Sequence, residues 1–195
     1  MTEIENALER LFRAARSQNG WLPNPVDDAQ LRAAYEIAKW GPTSMNTQPM
    51  RLLFLRSTEA KERLKPALSP GNVEKAMTAP VIALIAYTSD FHDELHRTFP
   101  HRPEARAMYA DNQALRESTA TRNGTLQGAY FMLALRAVGL DVGPMSGFDP
   151  LKVNAAFFEG TPHRINFICG IGHGDPAKVL ERLPRLDFDD IARTL

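Results

Sequence analysis

The apolar run Val-Ile-Ala-Leu-Ile-Ala-Tyr at residues 81–87 is the sequence feature that most limits the possible folds. A strand with one solvent face alternates apolar and polar residues, whereas a continuous apolar run is typical of a strand covered on both faces. The run therefore predicts an inner strand of a sheet. Apolar residues at 52–55 predict a second buried strand, and those at 165–171 predict a third.

Helical signals occur before and between these strands. The segments with helical spacing or end signals are 4–15, a helix from Asp27 that stops before Gly41-Pro42, 58–68, 114–138 and a short helix at Asp149-Pro150. In the first, the apolar stripe is Ile4, Leu8, Leu11, Phe12 and Ala15. In the second, the residues expected to face the core are Leu31, Ala34, Tyr35 and Ala38. Residues 129–135 are apolar almost all round, which predicts a place in the core or at an interface.

Strands that alternate with helices indicate an α/β or α+β class. The 195 residues suffice for one sizeable domain and are few for two, so we expect a single domain over 1–195. The charged segment 90–112 is expected to be an irregular excursion over the surface.

Composition argues against several classes of protein. Lys and Arg (23) balance Asp and Glu (23), which removes the basic surplus typical of nucleic-acid binders. No apolar run approaches the roughly 20 residues that span a bilayer, and the acidic, helical start is unlike a secretory signal. We therefore expect a soluble cytoplasmic protein without nucleic-acid or membrane partners. The single cysteine, Cys169, allows no intrachain disulfide and no multi-cysteine metal site.

Several familiar motifs fail on inspection. His92 and His96 have zincin spacing, but Asp93 replaces the required Glu and no third ligand is evident, so a solvated polar face is expected and no metal. The glycines at 170–174 would have to begin a dinucleotide-binding βαβ unit, and too little chain follows them to build one. Residues 143–147 lack the glycines of a serine-hydrolase elbow. Cys169 lies in an apolar strand and is expected to be inert.

Other polar groups suggest a bound ligand. Arg16 and Ser17, with Arg182 and Arg185 near the far end, suit a phosphate, although surface arginines in weak ion pairs explain them equally well. Three side chains of one loop could bind the edge of a heterocycle, namely Ser44, Asn46 and Gln48. Asn72 and Lys75 share a helix face. The stretch 145–148, with small residues at Ser146 and Gly147, would let a flat ring approach the backbone.

In their order and spacing, these segments resemble the nitroreductase family of FMN-dependent oxidoreductases over nearly the whole chain. The segments that carry the resemblance are Ala15-Arg16-Ser17, residues 42–49, Asn72 with Lys75, residues 139–149, Gly172-His173 and Arg182-Leu183-Pro184. Within the family, the chain is most similar to the small malonic semialdehyde reductases, a subgroup that also carries the label NADH dehydrogenase/NAD(P)H nitroreductase. The segments that carry this closer likeness are Asn19-Gly20-Trp21, residues 39–44, Thr78-Ala79-Pro80 and residues 143–149.

The resemblance implies an α+β nitroreductase-like fold, with a central mixed sheet wrapped by helices, in an intertwined homodimer. Two FMN sites would lie at the dimer interface, where Ser44 and Asn46 face the ring of the partner's site. The full set of implied cofactor contacts is Arg16, Ser17, Asn19, Pro42, Thr43, Ser44, Asn46, Gln48, Asn72, Lys75, Pro144, Met145, Ser146, Gly147, Arg182 and Arg185.

Within this set, the resemblance assigns Arg16, Ser17 and Arg182 to the phosphate. Asn72 and Lys75 would reach the ribityl chain and the pyrimidine edge, and the backbone at 145–147 would face the flavin N5 and O4. The chain departs from the family pattern at Ala15 and Leu180, where basic residues are common, and Arg185 is a candidate replacement.

The implied reaction is a ping-pong hydride transfer from NADH or NADPH through flavin N5, with no catalytic side chain. The acceptor suggested by the subgroup is malonic semialdehyde, which would become 3-hydroxypropionate. A broad nitro- or quinone reductase is the alternative, and a flavin-binding module without catalysis is a third. A substrate carboxylate would need a cation, for which the candidates are Arg51, Arg102, Arg106 and Arg122.

Overall fold

The computed structural model describes residues 2–195. Its sheet has four strands in the order β1-β2-β4-β3. The strands are β1 (Met50–Leu55), β2 (Val81–Thr88), β3 (Asp141–Met145) and β4 (His163–Gly172). Every neighbouring pair is antiparallel, so the expected α+β class is confirmed while the sheet is not mixed within one chain. The parallel pairing that the described residues show is an isolated bridge between Ser17 and Val142.

Helices flank the sheet. The α-helices are α1 (Glu3–Leu8), α2 (Asp28–Ala38), α3 (Thr58–Leu64), α4 (Pro70–Thr78), α5 (Leu95–Thr98), α6 (Ala105–Ala110), α7 (Gln113–Ala137), α8 (Pro150–Phe157) and α9 (Phe188–Ile191). A π-helical turn continues α1 over Glu9–Arg13. Short 3₁₀ turns cover Ser44–Asn46, Lys65–Ala67, Ser89–Glu94 and Pro176–Lys178.

Strand β2 is the inner strand that its apolar run predicts. It pairs with β1 on one side and β4 on the other, and residues 81–86 are all buried. The strand at 52–55 is also confirmed, but it is an edge strand, because β1 has a single neighbour. Leu53 is consequently 37% exposed, so the expectation that this strand is fully buried is wrong.

Strand β3 is not predicted by the sequence, because Gly143 and Pro144 lie within it. Proline donates no hydrogen bond and is confined to edge strands, and β3 is such a strand. Its place at the edge leaves one side of its backbone open.

The long helix α7 packs on one face of the sheet as predicted. Phe131, Ala134 and Leu135 are buried against strand residues such as Ile85, and Gly139 ends the helix at φ 86°. A second cluster covers the other face with residues of α3, α4 and α8. Covering both faces of the sheet is what the continuous apolar run requires.

The predicted first helix forms, but none of its residues is buried, and Ile4 (73%) and Phe12 (54%) are exposed. Helix α2 begins after the predicted cap Asp27. The expectation that Tyr35 faces the core is wrong, since 44% of this residue is exposed. Both apolar surfaces are left without cover by a single chain.

The segment 90–112 is not irregular. It forms a 3₁₀ turn and helices α5 and α6. Phe91, Leu95 and Tyr109 are buried there with Ala120 of α7 in a third apolar cluster. Charged residues alternate with these anchors, which is why the sequence suggests a solvated excursion.

Candidate functional site

A cavity of about 630 Å³ lies where the two ends of the chain meet. Its lining includes five of the predicted cofactor contacts, of which Arg16, Ser17 and Arg182 are assigned to the phosphate: Arg16, Ser17, Asn19, Arg182 and Arg185. Arg182 Nη2 donates to the carbonyl oxygens of Arg13 at 2.6 Å and Ala15 at 3.1 Å, and Arg16 donates to the Leu180 carbonyl oxygen. The structure therefore brings together residues that are far apart in the sequence.

Strand β3 fixes one wall of this cavity. Ser17 forms the isolated bridge with Val142, and the Gln18 N–H donates to the Val142 carbonyl oxygen at 3.0 Å. These contacts hold the segment after the first helix against the open edge of the sheet.

The cavity is strongly basic. Its charged lining residues are Arg13, Arg16, Arg136, Arg182, Arg185 and Glu181. Arg13 pairs with Glu9, whereas the other four guanidinium groups have no carboxylate within 4.0 Å among residues 2–195. The structure therefore does not show these four arginines in surface ion pairs, which was the alternative explanation. Guanidinium groups that line one cavity in this way suit an anion.

Arg136 is a residue that the sequence analysis missed. It lies in the last turn of α7, and its Nη1 donates to the Leu11 carbonyl oxygen at 2.8 Å. Burial lowers the pKa of its guanidinium. A single arginine at the end of an apolar helix gives no sequence signal for a site, since it also suits the negative end of the helix.

Lys75 extends the site along β3. The residue is buried, and its Nζ donates to the carbonyl oxygen of Pro144 at 3.2 Å. No carboxylate of residues 2–195 lies within 4.0 Å of it. Burial lowers the pKa of this ammonium, since desolvation disfavours its charged form. A buried cation with one carbonyl partner suits an anionic ligand.

Hydrogen bonds fix the backbone that follows β3, close to Lys75. Asn72 Nδ2 donates to the Gly147 carbonyl oxygen at 2.9 Å, and the Ser69 N–H donates to the same oxygen at 3.0 Å. A Cβ at Gly147 would lie 2.7 Å from Asn72 Nδ2, so a side chain there would displace the amide. Within residues 2–195, the N–H groups of Ser146 and Gly147 donate to no backbone acceptor outside the helices and strands.

A further cavity of about 340 Å³ adjoins this backbone. Its lining residues are Met132, Pro144, Met145, Ser146 and Phe167. The predicted residues Asn72, Lys75 and 144–147 thus form one group at the end of β3, and the basic cavity lies near the start of the same strand. An elongated ligand with a phosphate at one end and a flat ring at the other matches this order.

The loop at residues 42–48 lies elsewhere. None of its residues lines the two cavities along β3. Its polar groups bond elsewhere: the Ser44 N–H donates to Asn123 Oδ1 at 2.8 Å, and Asn46 Nδ2 donates to the Thr98 carbonyl oxygen at 2.7 Å.

Two further hydrogen bonds fix the ends of this loop. The Tyr130 hydroxyl donates to the Pro42 carbonyl oxygen at 3.2 Å, and the Gln48 N–H donates to Thr43 Oγ1 at 3.3 Å. One chain therefore does not bring the predicted Ser44, Asn46 and Gln48 to the other predicted residues.

The same loop has an unusual backbone. Met45 (48°), Asn46 (50°) and Gln48 (43°) all have positive φ, which is rare for residues other than glycine. Strained conformations of this kind persist where surrounding contacts fix them, and they cluster at functional sites.

The histidines of the rejected zincin motif line neither cavity along β3. His92 is buried, so the expectation of a solvated polar face is wrong for this residue, whose neighbour Phe91 anchors the third apolar cluster. No group of three or more metal-ligating side chains occurs among residues 2–195. Burial raises the pKa of the Cys169 thiol to about 12, which keeps it protonated at neutral pH. None of the described helices has the length and apolar character needed to cross a bilayer.

Comparisons with known proteins relate the chain to one family. The model of the nitroreductase family matches residues 13–173. A protein of Cupriavidus pinatubonensis is 54% identical over 189 residues, 96% of each chain, and one of Burkholderia lata is 55% identical over 192 residues, 98% of each chain. Both carry the provisional name NADH dehydrogenase/NAD(P)H nitroreductase.

Solved structures share the fold. A provisionally assigned nitroreductase of Bacillus subtilis has a TM-score of 0.87 at 19% identity, covering 98% of this chain and all of the other. A second, from Exiguobacterium sibiricum in complex with FMN, has a TM-score of 0.85 at 21% identity and covers 100% of this chain and 98% of the other.

Proposed function

This chain belongs to the nitroreductase family, and on that premise we propose that it is an NAD(P)H-dependent oxidoreductase that holds FMN along β3. The observation that carries the proposal is Lys75, a buried ammonium whose Nζ donates to one carbonyl oxygen and which has no carboxylate partner among residues 2–195. Bound FMN would supply a ring that takes up hydride and gives it to an oxidised substrate. The Lys75 charge would stabilise the reduced, anionic ring in a site of low dielectric constant.

The other residues fit the rest of the cofactor. Arg16, Arg182 and Arg136 would bind the phosphate in the basic cavity, with Ser17 as a further donor. The N–H groups of Ser146 and Gly147 would donate to the ring and fix its orientation. Asn72 holds the Gly147 carbonyl and keeps that backbone in place. No side chain here needs to act as a nucleophile or a general base.

We propose that a second copy of the chain completes the site. The loop at 42–48, which the resemblance assigns to the ring, lines neither cavity along β3 within one chain. The tail after β4 exposes a series of large apolar residues: Leu180, Leu183, Leu186, Phe188 and Ile191. Exposed apolar surface of this extent is typical of an interface, and Arg182 of the basic cavity lies within the tail.

For the acceptor we propose malonic semialdehyde, on the strength of the closer sequence likeness to its reductases. The second candidate is a flat nitroaromatic or quinone, which is favoured by the largely apolar cavity of Met132, Met145 and Phe167 and by the names of the relatives. Both acceptors need the same hydride donor and differ in polarity.

A stopped-flow experiment separates the two acceptors. Enzyme loaded with FMN and reduced by one equivalent of NADH is mixed anaerobically with malonic semialdehyde, propanal or menadione, and the return of flavin absorbance is timed. Reoxidation by malonic semialdehyde that is at least about tenfold faster than by propanal supports the semialdehyde. Reoxidation by menadione alone supports the quinone reductase. A reduced enzyme that none of them reoxidises argues against both acceptors.

A further inference from the structure

A third cavity, of about 290 Å³, lies beside the loop at 42–48 and outside the proposed FMN contacts along β3. Its polar lining includes Thr47, Arg51, Glu94, Arg97 and Gln127. The loop contributes Gln48 to this cavity, so the cavity adjoins the segment that the proposed function places against the ring of the partner's site.

Arg51 is the cation of this cavity that lacks a carboxylate partner. Its Nη1 donates to the carbonyl oxygens of Gln48 at 3.2 Å and Met50 at 2.8 Å, and no carboxylate of residues 2–195 lies within 4.0 Å of the guanidinium. Glu94 pairs with Arg97 at 2.8 Å, so the cavity keeps one uncompensated positive charge. Burial lowers the pKa of Arg51 despite the opposing effect of the Glu94 charge, which marks a guanidinium partly removed from water.

Neutral groups in the cavity also lack partners. The Thr47 residue is 1% exposed, and its Oγ1 has no hydrogen-bond partner in the described structure. Gln127 Oε1 accepts from the Met50 N–H at 2.9 Å, and Gln127 lines the cavity, so its amide N–H groups are candidate donors. A buried hydroxyl without a partner costs free energy, and a ligand oxygen would satisfy it.

The other cations that the sequence suggests as carboxylate anchors are less suitable. Arg102 pairs with Glu104 at 2.9 Å, and Arg106 pairs with Asp93 at 2.7 Å. Both side chains are more than half exposed, as is typical of weak surface pairs. Arg122 is exposed on α7 and lines none of the cavities described here.

We propose that this cavity binds the carboxylate of a small organic acid, with Arg51 as its charge partner and the Thr47 hydroxyl and Gln127 amide as further donors. The proposal deepens the proposed function, on which it rests for its catalytic meaning: the site would select acid aldehydes over neutral ones. Arg51 is then a specificity-determining residue for the acceptor, and it has no role in hydride transfer from NAD(P)H.

The test compares an acid with a neutral molecule of the same length. The full-length, FMN-loaded protein is titrated calorimetrically with 3-hydroxypropionate and with 1,3-propanediol. We expect the acid to bind at least about tenfold more tightly than the diol, as charge-assisted bonds to arginine predict. In Arg51→Gln this ratio should fall to about 1, and in Thr47→Val it should fall by about threefold. The matched control, Arg102→Gln, should keep the wild-type ratio within about twofold.

Equal binding of acid and diol to the wild type overturns the proposal, and so does an undiminished ratio in Arg51→Gln. If Arg51→Gln binds neither molecule, Arg51→Lys decides. It keeps the charge without the planar fork, so an acid-to-diol ratio between 1 and the wild-type value supports the site, and an unchanged ratio contradicts it.

The titration needs neither NAD(P)H nor turnover. A protein that binds the acid but whose flavin is not reduced by NADH would contradict the proposed function and leave this inference standing. A protein whose flavin is reduced by NADH but which shows no preference for the acid would contradict this inference and leave the proposed function standing.

Discussion

The ammonium of Lys75 lies 3.2 Å from the carbonyl oxygen of Pro144, and this is its one hydrogen bond within residues 2–195. A buried cation with so little compensation destabilises the empty protein, because its desolvation is not repaid. An anionic ring beside Lys75 would compensate the desolvation of its charge. The charge of Lys75 therefore lowers the stability of the empty chain and raises its affinity for an anionic cofactor.

Replacing Lys75 should affect the stability of the FMN-free protein and the affinity for FMN in opposite directions. In Lys75→Met, we expect the free energy of unfolding of the FMN-free protein to stay the same or rise by about 1 kcal/mol. The affinity for FMN should fall at least about tenfold, as expected for losing a charge-assisted contact. Denaturant unfolding and FMN fluorescence quenching measure the two effects. The control is Lys61→Met, a part-buried lysine that donates to the Ala79 carbonyl oxygen outside both cavities along β3. Loss of stability in Lys75→Met without a change in FMN affinity would argue for a purely structural lysine.

The basic cavity should recognise the phosphate specifically. In Arg182→Gln and Arg136→Gln, we expect FMN to bind about ten- to a hundredfold more weakly, while riboflavin, which lacks the phosphate, is affected less than about threefold. Arg63→Gln serves as control, because Arg63 contacts the Ala156 carbonyl oxygen and Phe157 away from the cavity. Equal losses for FMN and riboflavin would mean that these arginines hold the fold rather than the phosphate.

Arg136 also shows what the sequence could not predict. The inner strand β2 follows from its continuous apolar run, and helices α2 and α7 follow from helical spacing and end signals. Which isolated arginine enters a cavity depends on contacts between distant segments, here between the end of α7 and the Leu11 carbonyl. Periodicity carries no such information.

The same limit explains the errors at exposed apolar residues. Tyr35 and the stripe of α1 have the spacing of buried faces, yet one chain leaves them uncovered. A spacing pattern predicts that a face is apolar, but it does not predict which surface covers that face. The candidate carboxylate anchors show a related limit: four arginines look alike in sequence, and the structure distinguishes Arg51 by its place in a cavity and Arg102 and Arg106 by their exposed ion pairs.

Close approach at Gly147 gives a steric prediction. Gly147→Ala places a Cβ 2.7 Å from Asn72 Nδ2, so the amide must move away from the carbonyl that it holds. We expect about 1–3 kcal/mol of destabilisation and at least about tenfold weaker FMN binding. Gly71→Ala is a matched control on α4, since a Cβ there meets nothing within 4 Å, and it should be neutral or stabilising by up to about 1 kcal/mol. If both variants behave alike, the Gly147 backbone does not adjoin the cofactor.

The apolar tail predicts the oligomeric state. We expect the wild type to be a dimer by light scattering and the double variant Leu186→Asp, Phe188→Asp to be a monomer that loses bound FMN, because central apolar contacts each contribute about 2 kcal/mol to an interface. Leu151→Asp on α8 is the control, because Leu151 is also strongly exposed (78%) but lies outside the tail. A wild-type monomer that retains FMN would show that one chain suffices for the site.

A visible spectrum of the purified protein, recorded before and after anaerobic addition of NADH and then NADPH, decides whether the chain is an NAD(P)H-dependent flavoprotein. We expect flavin bands, present as purified or after reconstitution with FMN, that bleach with at least one of the two nucleotides. A protein that stays colourless after incubation with FMN, or whose flavin bands persist with both nucleotides, would contradict this expectation.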